Sequence, residues 1–331
     1  MGKIVCFGEI LIDLLAQPPA TPDTPRAFLQ YAGGAPANVA VAAAQLGANT
    51  QFVGMLGRDM FGDFLADSLV AHGVGTDHIV RTDAAKTALA FVALDAAGER
   101  SFSFYRPPAA DLLFRAEHFQ PACFEDAGCF HVCSNSLTEP AIAEATFAGM
   151  DRARAAGAVI SVDLNLRPSL WPADVDPTPW LWQLLQRADL VKLSREELDY
   201  LAQPLGEDGQ AQVLKRLLAA QAGWVIITDG AEPLRWYTRQ AEGQVPTFDV
   251  TTVDTTAAGD AFVGGVLHGL DKCGGTGAAF AGFCADRDAI TATLRFAAAV
   301  GALAVTRKGS FAAMPTLEEV QNLLQQQEAI A

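Results

Sequence analysis

Short apolar runs alternate with Ala- and Leu-rich stretches of helical spacing along nearly the whole chain, and this rhythm constrains the fold more than any other feature. It argues for βα units around a mostly parallel sheet. The pattern predicts strands at 4–7, 129–133, 158–164, 189–193 and 224–228. Helices are expected at 36–46, 59–72, 140–155, 194–202, 210–221, 260–270 and 288–305, the first two stopped by Gly47 and Gly73. Pro315 followed by Thr316-x-x-Glu319 reads as the capping box of a last helix. The expected class is therefore α/β, with a mostly parallel central sheet.

Two segments break the rhythm. Residues 88–94 and 100–106 read as a hairpin about Asp95-Ala96-Ala97-Gly98, with Phe102 and Phe104 on one face. With Leu11–Ala16 and Arg26–Tyr31 they suggest a small separate sheet, while the Pro-rich stretch 18–25 reads as an exposed loop. The organisation that follows is a core of 1–12, 32–86 and 107–331 carrying a β-sheet lid of 13–31 and 87–106. A flap of this kind suits exclusion of water from a reactive phosphate, and a β extension equally suits dimer packing.

Composition excludes several function classes. The 331 residues are 50% hydrophobic and 18% charged, enough for a large core in one or two domains. A net charge of −15 sets the overall field against nucleic acid and anionic membranes. The 6 cysteines form no C-x-x-C pair and the 5 histidines are scattered, so buried free thiols in a reducing compartment are expected rather than zinc or a disulfide framework. Glu9 and Asp13 interrupt the one apolar run near the N-terminus, and no segment approaches ~20 uninterrupted apolar residues, which makes the expected location cytoplasmic.

Two motifs carry chemistry. Asp254-Thr255-Thr256-Ala257-Ala258-Gly259-Asp260 runs straight into Ala261-Phe262-Val263-Gly264-Gly265, placing a carboxylate at a helix N-terminus. Backbone amides of 257–260 and the helix dipole can converge there on an anion, with Asp260 beside it as a base; a turn followed by a capping Asp gives the same pattern. Upstream, Gly33-Gly34-Ala35-Pro36-Ala37-Asn38 precedes a helix packed through alanines. The glycine pair permits close ligand approach, and Asn38 offers donors and acceptors suited to sugar hydroxyls, although Gly-Gly is also ordinary loop punctuation.

In that order, the two motifs resemble the paired signatures of the ribokinase-like (PfkB) carbohydrate kinases, and the resemblance covers essentially the whole chain. Within that family the chain is most similar to bacterial fructokinases, through Gly98 to Arg106, Ala109-Ala110-Asp111 and Asp163-Leu164-Asn165-Leu166-Arg167-Pro168-Ser169-Leu170-Trp171. Many members have Gly where this chain has Ala257. The resemblance implies a three-layer α/β/α ribokinase-like fold and transfer of the γ-phosphoryl of ATP, with Mg²⁺, to a primary sugar hydroxyl, most directly O6 of fructose. Ribose, 2-keto-3-deoxygluconate and nucleosides are the other acceptors in view.

Site residues follow from both lines. Asp260 is the expected base, the amides of Ala257, Ala258 and Gly259 the anion hole, and Arg167 the partner of the transferred group. The sugar set is Asp13, Gly33, Gly34, Asn38, Arg106, Asp163 and Asn165; Asp13 is costly among its apolar neighbours unless it is given donors, and Arg106 would cross from the flap on closure. Ser161, Asp163, Asn165 and Arg167 alternate with Val162, Leu164 and Leu166 at a strand's carboxyl end, where ligands of α/β sheets gather. For nucleotide, the resemblance points to Lys192, Thr228, Gly230, Lys308 and Gly309. For metals it implies Glu197 as a water-mediated Mg²⁺ ligand. It also implies a monovalent-cation (K⁺) site around Asp254, Thr256, Ala304, Arg307 and Gly309. Ser194 and Glu197 also have capping-box spacing.

A small-molecule sugar and a homodimer are the expected partners. A dinucleotide oxidoreductase would share the α/β class, but Gly8-Glu9-Ile10-Leu11-Ile12-Asp13 after the first strand is not G-x-G-x-x-G. A catalytically idle sugar sensor is the remaining reading, and retention of Gly259 and Asp260 argues against it.

Overall fold

The computed structural model describes residues 2–17, 21, 23, 25, 27–94 and 100–328. Its strands are β1 (Lys3–Phe7), β2 (Leu11–Gln17), β3 (Ala27–Gly33), β4 (Thr50–Gly57), β5 (Gly75–Thr82), β6 (Leu89–Leu94), β7 (Arg100–Tyr105), β8 (Ala127–Cys133), β9 (Val159–Asp163), β10 (Leu190–Ser194), β11 (Trp224–Asp229), β12 (Glu232–Thr238) and β13 (Glu242–Val245). Its helices are α1 (Ala35–Gln45), α2 (Met60–Ala71), α3 (Pro140–Ala155), α4 (Thr178–Leu185), α5 (Arg195–Ala202), α6 (Gly209–Ala219), α7 (Ala258–Lys272), α8 (Phe280–Phe283), α9 (Arg287–Ala304) and α10 (Leu317–Glu328). No described helix is long and apolar enough to cross a membrane.

The large sheet has 9 strands in the order β13-β12-β11-β10-β9-β8-β1-β4-β5. It is parallel from β11 to β5, and β12 and β13 extend it antiparallel. Its inner strands β1, β4, β8, β9, β10 and β11 are largely apolar and buried because both faces are covered, whereas the edge strands β5 and β13 are polar and partly exposed. In β1, Ile4 and Cys6 enter a core shared with α1, α2, α7, α9 and α10, whereas Val5 and Phe7 enter the opposite core with α3 to α6. The ribokinase-like three-layer expectation holds.

The small sheet has 4 strands in the order β3-β2-β6-β7. Within it β2 runs parallel to β6, and the outer pairs are antiparallel. The hairpin expected at 88–106 is present as β6 and β7, while its turn at 95–99 and the Phe102 side chain lie outside the described residues, as do Arg26 and much of the Pro-rich stretch. Phe28 and Tyr105 flank Phe91 edge-on at 5.3 and 5.1 Å, and Phe28, Leu29 and Tyr105 remain exposed.

Helix α7 is buried along most of its length between α1 and α9. The absence of side chains at two adjacent positions permits this. A Cβ on Gly264 would come within 2.5 Å of the Ala42 methyl, and one on Gly265 within 2.9 Å of Ala297 Cα. Gly264→Val is therefore expected to lower the unfolding free energy by about 2 kcal/mol or more in urea titrations, because close-packed neighbours must move. Gly282→Ala, in open space on α8, should leave the midpoint unchanged or slightly raised.

Candidate active site

Loops at the carboxyl ends of β1, β8 and β9, together with the start of α7 and the inner side of the small sheet, enclose a cleft of about 600 Å³. This is the edge at which ligands of open α/β sheets bind. The motif at 254–260 sits here as expected: Ala257 has φ 58 and ψ 12, and the chain enters α7 from it. That left-handed backbone disfavours any residue with a Cβ by about 1 kcal/mol, which explains a preference for Gly at such a position. No side chain caps α7 among the described residues; the Ala258 amide donates to the Thr255 carbonyl at 3.3 Å, and the positive end of the helix dipole lies at the cleft, which Ala257 and Asp260 line.

Asp260 lies in that first turn and is buried, with only 6% of its surface accessible. Its two carboxylate oxygens accept from Asn38 Nδ2 at 2.8 Å and Asn165 Nδ2 at 2.9 Å. Burial, and next the charge of Asp163, push its pKa up to about 7; the Asn38 hydrogen bond and the charges of Arg167 and Lys192 oppose the rise. A carboxylate poised near neutrality is suited to accept a proton.

Asn38 thus reaches Asp260 from α1, and Asn165 reaches it from the loop after β9, in a left-handed backbone with φ 44. That loop is held from outside the cleft. Glu197 Oε1 accepts the Leu166 amide at 2.8 Å, and its Oε2 accepts the Ser194 amide at 2.7 Å. Ser194 Oγ accepts the Glu197 amide in return, completing the capping box of α5. Glu197 does not line the cleft, and each of its oxygens is engaged by the backbone, as its capping-box spacing suggests. Arg167 is exposed and lines the cleft.

At the other end of the cleft, Asp13 on β2 stands against the Gly33–Gly34 pair. A Cβ on Gly33 would lie 2.1 Å from Asp13 Oδ2, and one on Gly34, where φ is 108, would lie 2.7 Å from the Glu9 carbonyl oxygen. Arg106 departs from expectation. It is 1% accessible and is no hairpin side chain waiting to swing: its guanidinium pairs with Asp111 at 2.6 Å and donates to the Asn135 carbonyl at 2.8 Å, forming a fixed wall of the cleft. Close spacing with Asp111 in sequence was the available signal.

Glu9 and Asn135 were not singled out from sequence. Glu9 is buried, and its Oε1 accepts from Asn135 Nδ2 at 2.9 Å and from the Ala35 amide at 3.3 Å. Burial raises its pKa, against the opposing charge of Arg106 and the Asn135 bond. A carboxylate inside an apolar run was the signal available. Asn38 Oδ1 and Asn135 Oδ1 are buried with no hydrogen-bond partner among the described residues, and both residues line the cleft. Such acceptors suit the hydroxyls of a polyol.

The remaining expected residues divide. Asp163 and Lys192 are buried, with Nζ 3.0 and 3.2 Å from the two Asp163 oxygens, and neither lines the cleft. Lys192 and Asp163 thus form a buried ion pair behind the 254–260 motif, beside Gly259. Burial works against the Lys192 charge, but Asp163 and Glu197 hold its pKa above the ordinary value. Thr228 and Gly230 end β11, Thr228 in register with Ser194, and Lys308 is exposed; none of the three lines the cleft. The expected cation residues fall in two adjacent segments. Asp254 accepts the amides of Thr256 at 2.7 Å and Gly309 at 3.2 Å, the Ala304 carbonyl accepts the Arg307 amide at 3.4 Å, and Arg307 pairs with Glu319.

Comparison with known proteins agrees with this geometry. The model of the pfkB family carbohydrate kinases matches residues 1–317. Fructokinase-1 of Zea mays is 38% identical over 331 residues, covering 97% of each chain. The crystal structure of a Xylella fastidiosa fructokinase with bound ATP superposes with a TM-score of 0.94 at 62% identity, covering 98% of this chain and 99% of that one. A double mutant of the fructokinase from Vibrio cholerae O395, in fructose, ADP and potassium ion bound form, does so with a TM-score of 0.82 at 29% identity, covering 97% and 98%. With its fold, its Gly33–Gly34 junction and its Asp260-centred helix N-terminus in place, the chain belongs to the pfkB family of carbohydrate kinases.

Proposed function

We propose that this protein is a fructokinase that transfers the γ-phosphoryl group of ATP to O6 of fructose. The observation that carries the reading is Asp260: a buried carboxylate poised near neutrality at the uncapped N-terminus of α7, facing a cleft whose far end is lined with hydroxyl-binding groups. The amides of Ala257, Ala258 and Gly259 hold phosphate oxygens against the helix dipole, and Arg167 closes on the same charge from the solvent side. Asp13, Gly33, Gly34, Asn38 and Arg106, with Glu9 and Asn135, orient the sugar. Asp260 takes the proton of the attacking hydroxyl as the new O–P bond forms and the bond from the γ-phosphorus to the bridging oxygen of ADP breaks, with ADP as the leaving group.

ATP fits this end of the cleft, because an uncapped helix N-terminus is a phosphate site. Among the described residues no group of three or more His, Cys, Asp or Glu forms a metal cage, as suits Mg²⁺, a cation usually held by phosphates and water with few protein ligands. When bound with the nucleotide, Mg²⁺ supplies charge neutralisation at the β- and γ-phosphates. Thr228, Gly230, Lys308 and Gly309 border the adenosine in this reading. The Asp254–Thr256 and Ala304–Gly309 segments take K⁺. The small sheet, 13–31 and 87–106, is the lid, and its exposed Phe28, Leu29 and Tyr105 are where a second copy packs in a cytoplasmic homodimer.

The cleft's sugar end carries one buried guanidinium already paired with Asp111, which suits a neutral hexose better than a sugar phosphate. Coupled assays should therefore rank fructose above ribose, 2-keto-3-deoxygluconate and adenosine, and at least ~100-fold above fructose-6-phosphate in kcat/KM. A different winner removes the fructose assignment and keeps the kinase.

Asp260→Asn should lower turnover by on the order of a hundredfold or more while calorimetry shows ATP binding retained. In the unsubstituted protein, kcat/KM should fall on the acid side with a midpoint close to Asp260's pKa of about 7, since protonation removes the base. A flat profile from pH 5 to 8 would exclude Asp260 from that role.

A further inference from the structure

Asn38 and Asn135 both line the cleft, and in each the amide is turned by a carboxylate. Asp260 takes Asn38 Nδ2 and Glu9 takes Asn135 Nδ2, so both Oδ1 atoms stay buried with no hydrogen-bond partner among the described residues. For Asn135 a second contact fixes the direction. Glu9 Oε1, which receives Asn135 Nδ2 at 2.9 Å, also receives the Ala35 amide at 3.3 Å, and a backbone amide can only donate. Oε1 is therefore an acceptor even when Glu9 carries a proton on its other oxygen, and the Asn135 atom that meets it is the amino group. Both residues are held elsewhere as well. The Asn135 carbonyl accepts from Arg106 Nη1 at 2.8 Å, and Glu9 is 2% accessible, with its carbonyl oxygen 2.7 Å from where a Cβ on Gly34 would stand.

We propose that Glu9 is a positioning residue for sugar selection: by holding the Asn135 amino group, it presents Asn135 Oδ1 to the cleft as a fixed acceptor for one hydroxyl of the sugar. The inference rests on the fructokinase reading. An Asn side chain free to turn over could meet either a donor or an acceptor on the ligand, because its two ends are nearly the same size. Glu9 removes that freedom, since turning the amide would set Asn135 Oδ1 against Oε1, two acceptors face to face. Selection at this point then has one sign. A sugar with a hydroxyl there satisfies the buried oxygen, whereas an analogue with hydrogen in its place leaves that oxygen unpaired out of reach of water. The charge of Glu9 is a separate matter: it faces Arg106, whose guanidinium already has Asp111 as its partner.

The test pairs two variants with fructose analogues that each lack one hydroxyl: 1-deoxy-, 3-deoxy- and 4-deoxyfructose and 2,5-anhydromannitol. Glu9→Gln keeps an Oε1 for both donors and Glu9→Met does not; each is checked for fold by circular dichroism. In the unsubstituted protein and in Glu9→Gln, loss of one particular hydroxyl should lower kcat/KM by about tenfold or more. In Glu9→Met that penalty should shrink below about threefold while those of the other analogues persist, with fructose KM raised more than kcat is lowered. An unsubstituted protein indifferent to all four deletions overturns the proposal, as does a Glu9→Met that keeps every penalty or loses all of them alike. A Glu9→Gln that behaves as Glu9→Met would mean that the charge facing Arg106 matters instead, and overturns it too. Should Glu9→Met fail to fold, Asn135→Ala removes the oxygen itself: erasure of one penalty alone supports the proposal, and an unchanged pattern overturns it. If the unsubstituted protein does not phosphorylate fructose, the fructokinase reading fails and takes this inference with it, whereas normal turnover with an unaltered pattern in the variants removes this inference alone.

Discussion

The structure is organised around one buried carboxylate with two amide hydrogen bonds. Asp260 joins α7 to α1 through Asn38 and to the loop after β9 through Asn165, so three separate stretches of chain meet on its oxygens. Burying a carboxylate without such partners would be costly, and even with them burial dominates, which is why its proton affinity is raised rather than lowered. The close packing of α7 against α1 and α9 fixes where the helix begins. The left-handed Ala257 fixes the direction from which the chain enters it.

Much of this was legible in the sequence. Helix 140–155 and the ends of α1, α2 and α10 follow from periodicity and from glycine or capping-box punctuation, because those signals are local. Strands β4 and β5 were not expected. Glycine weakens a strand's sequence signal, and Thr50–Gly57 contains Gly54 and Gly57; a Cβ on Gly54 would approach the Gly8 carbonyl oxygen to 2.7 Å, so that glycine marks close strand packing. Helix α4 was obscured by Pro177 and Pro179 at its start, and β12 by Pro233 within it.

In the site, residues that share a motif come together at the cleft, whereas the places of others are set by distant partners that spacing does not show. Asp13, Gly33, Gly34, Asn38, Asn165, Arg167 and Asp260 assemble in or against the cleft as their motifs suggest. Arg106 reads as a solvated hairpin residue until Asp111 and the Asn135 carbonyl immobilise it. Lys192 reads as one residue of a strand, and only the structure shows Asp163 on its ammonium. Glu197 is understood only when the Leu166 amide, from another strand's loop, is seen on its carboxylate. Spacing can propose a residue type at a site; it cannot name the counter-charge.

The stitching of distant segments also has a consequence for biosynthesis. The cleft draws on Glu9 near one end of the sequence and Ser310 near the other, and Asp254 joins its own loop to Gly309. A ribosome releasing about 5–20 residues per second presents β1 and the small sheet many seconds before α7, the Asp254 loop or Gly309 exists. During that interval Asn38 and Asn165 have no Asp260 to hold. The cleft is therefore complete only with the last tenth of the chain, which brings Gly309 to Asp254 and Ser310 to the lining, so that a stalled or truncated product carries the Gly33–Gly34 junction in a pocket that is not closed.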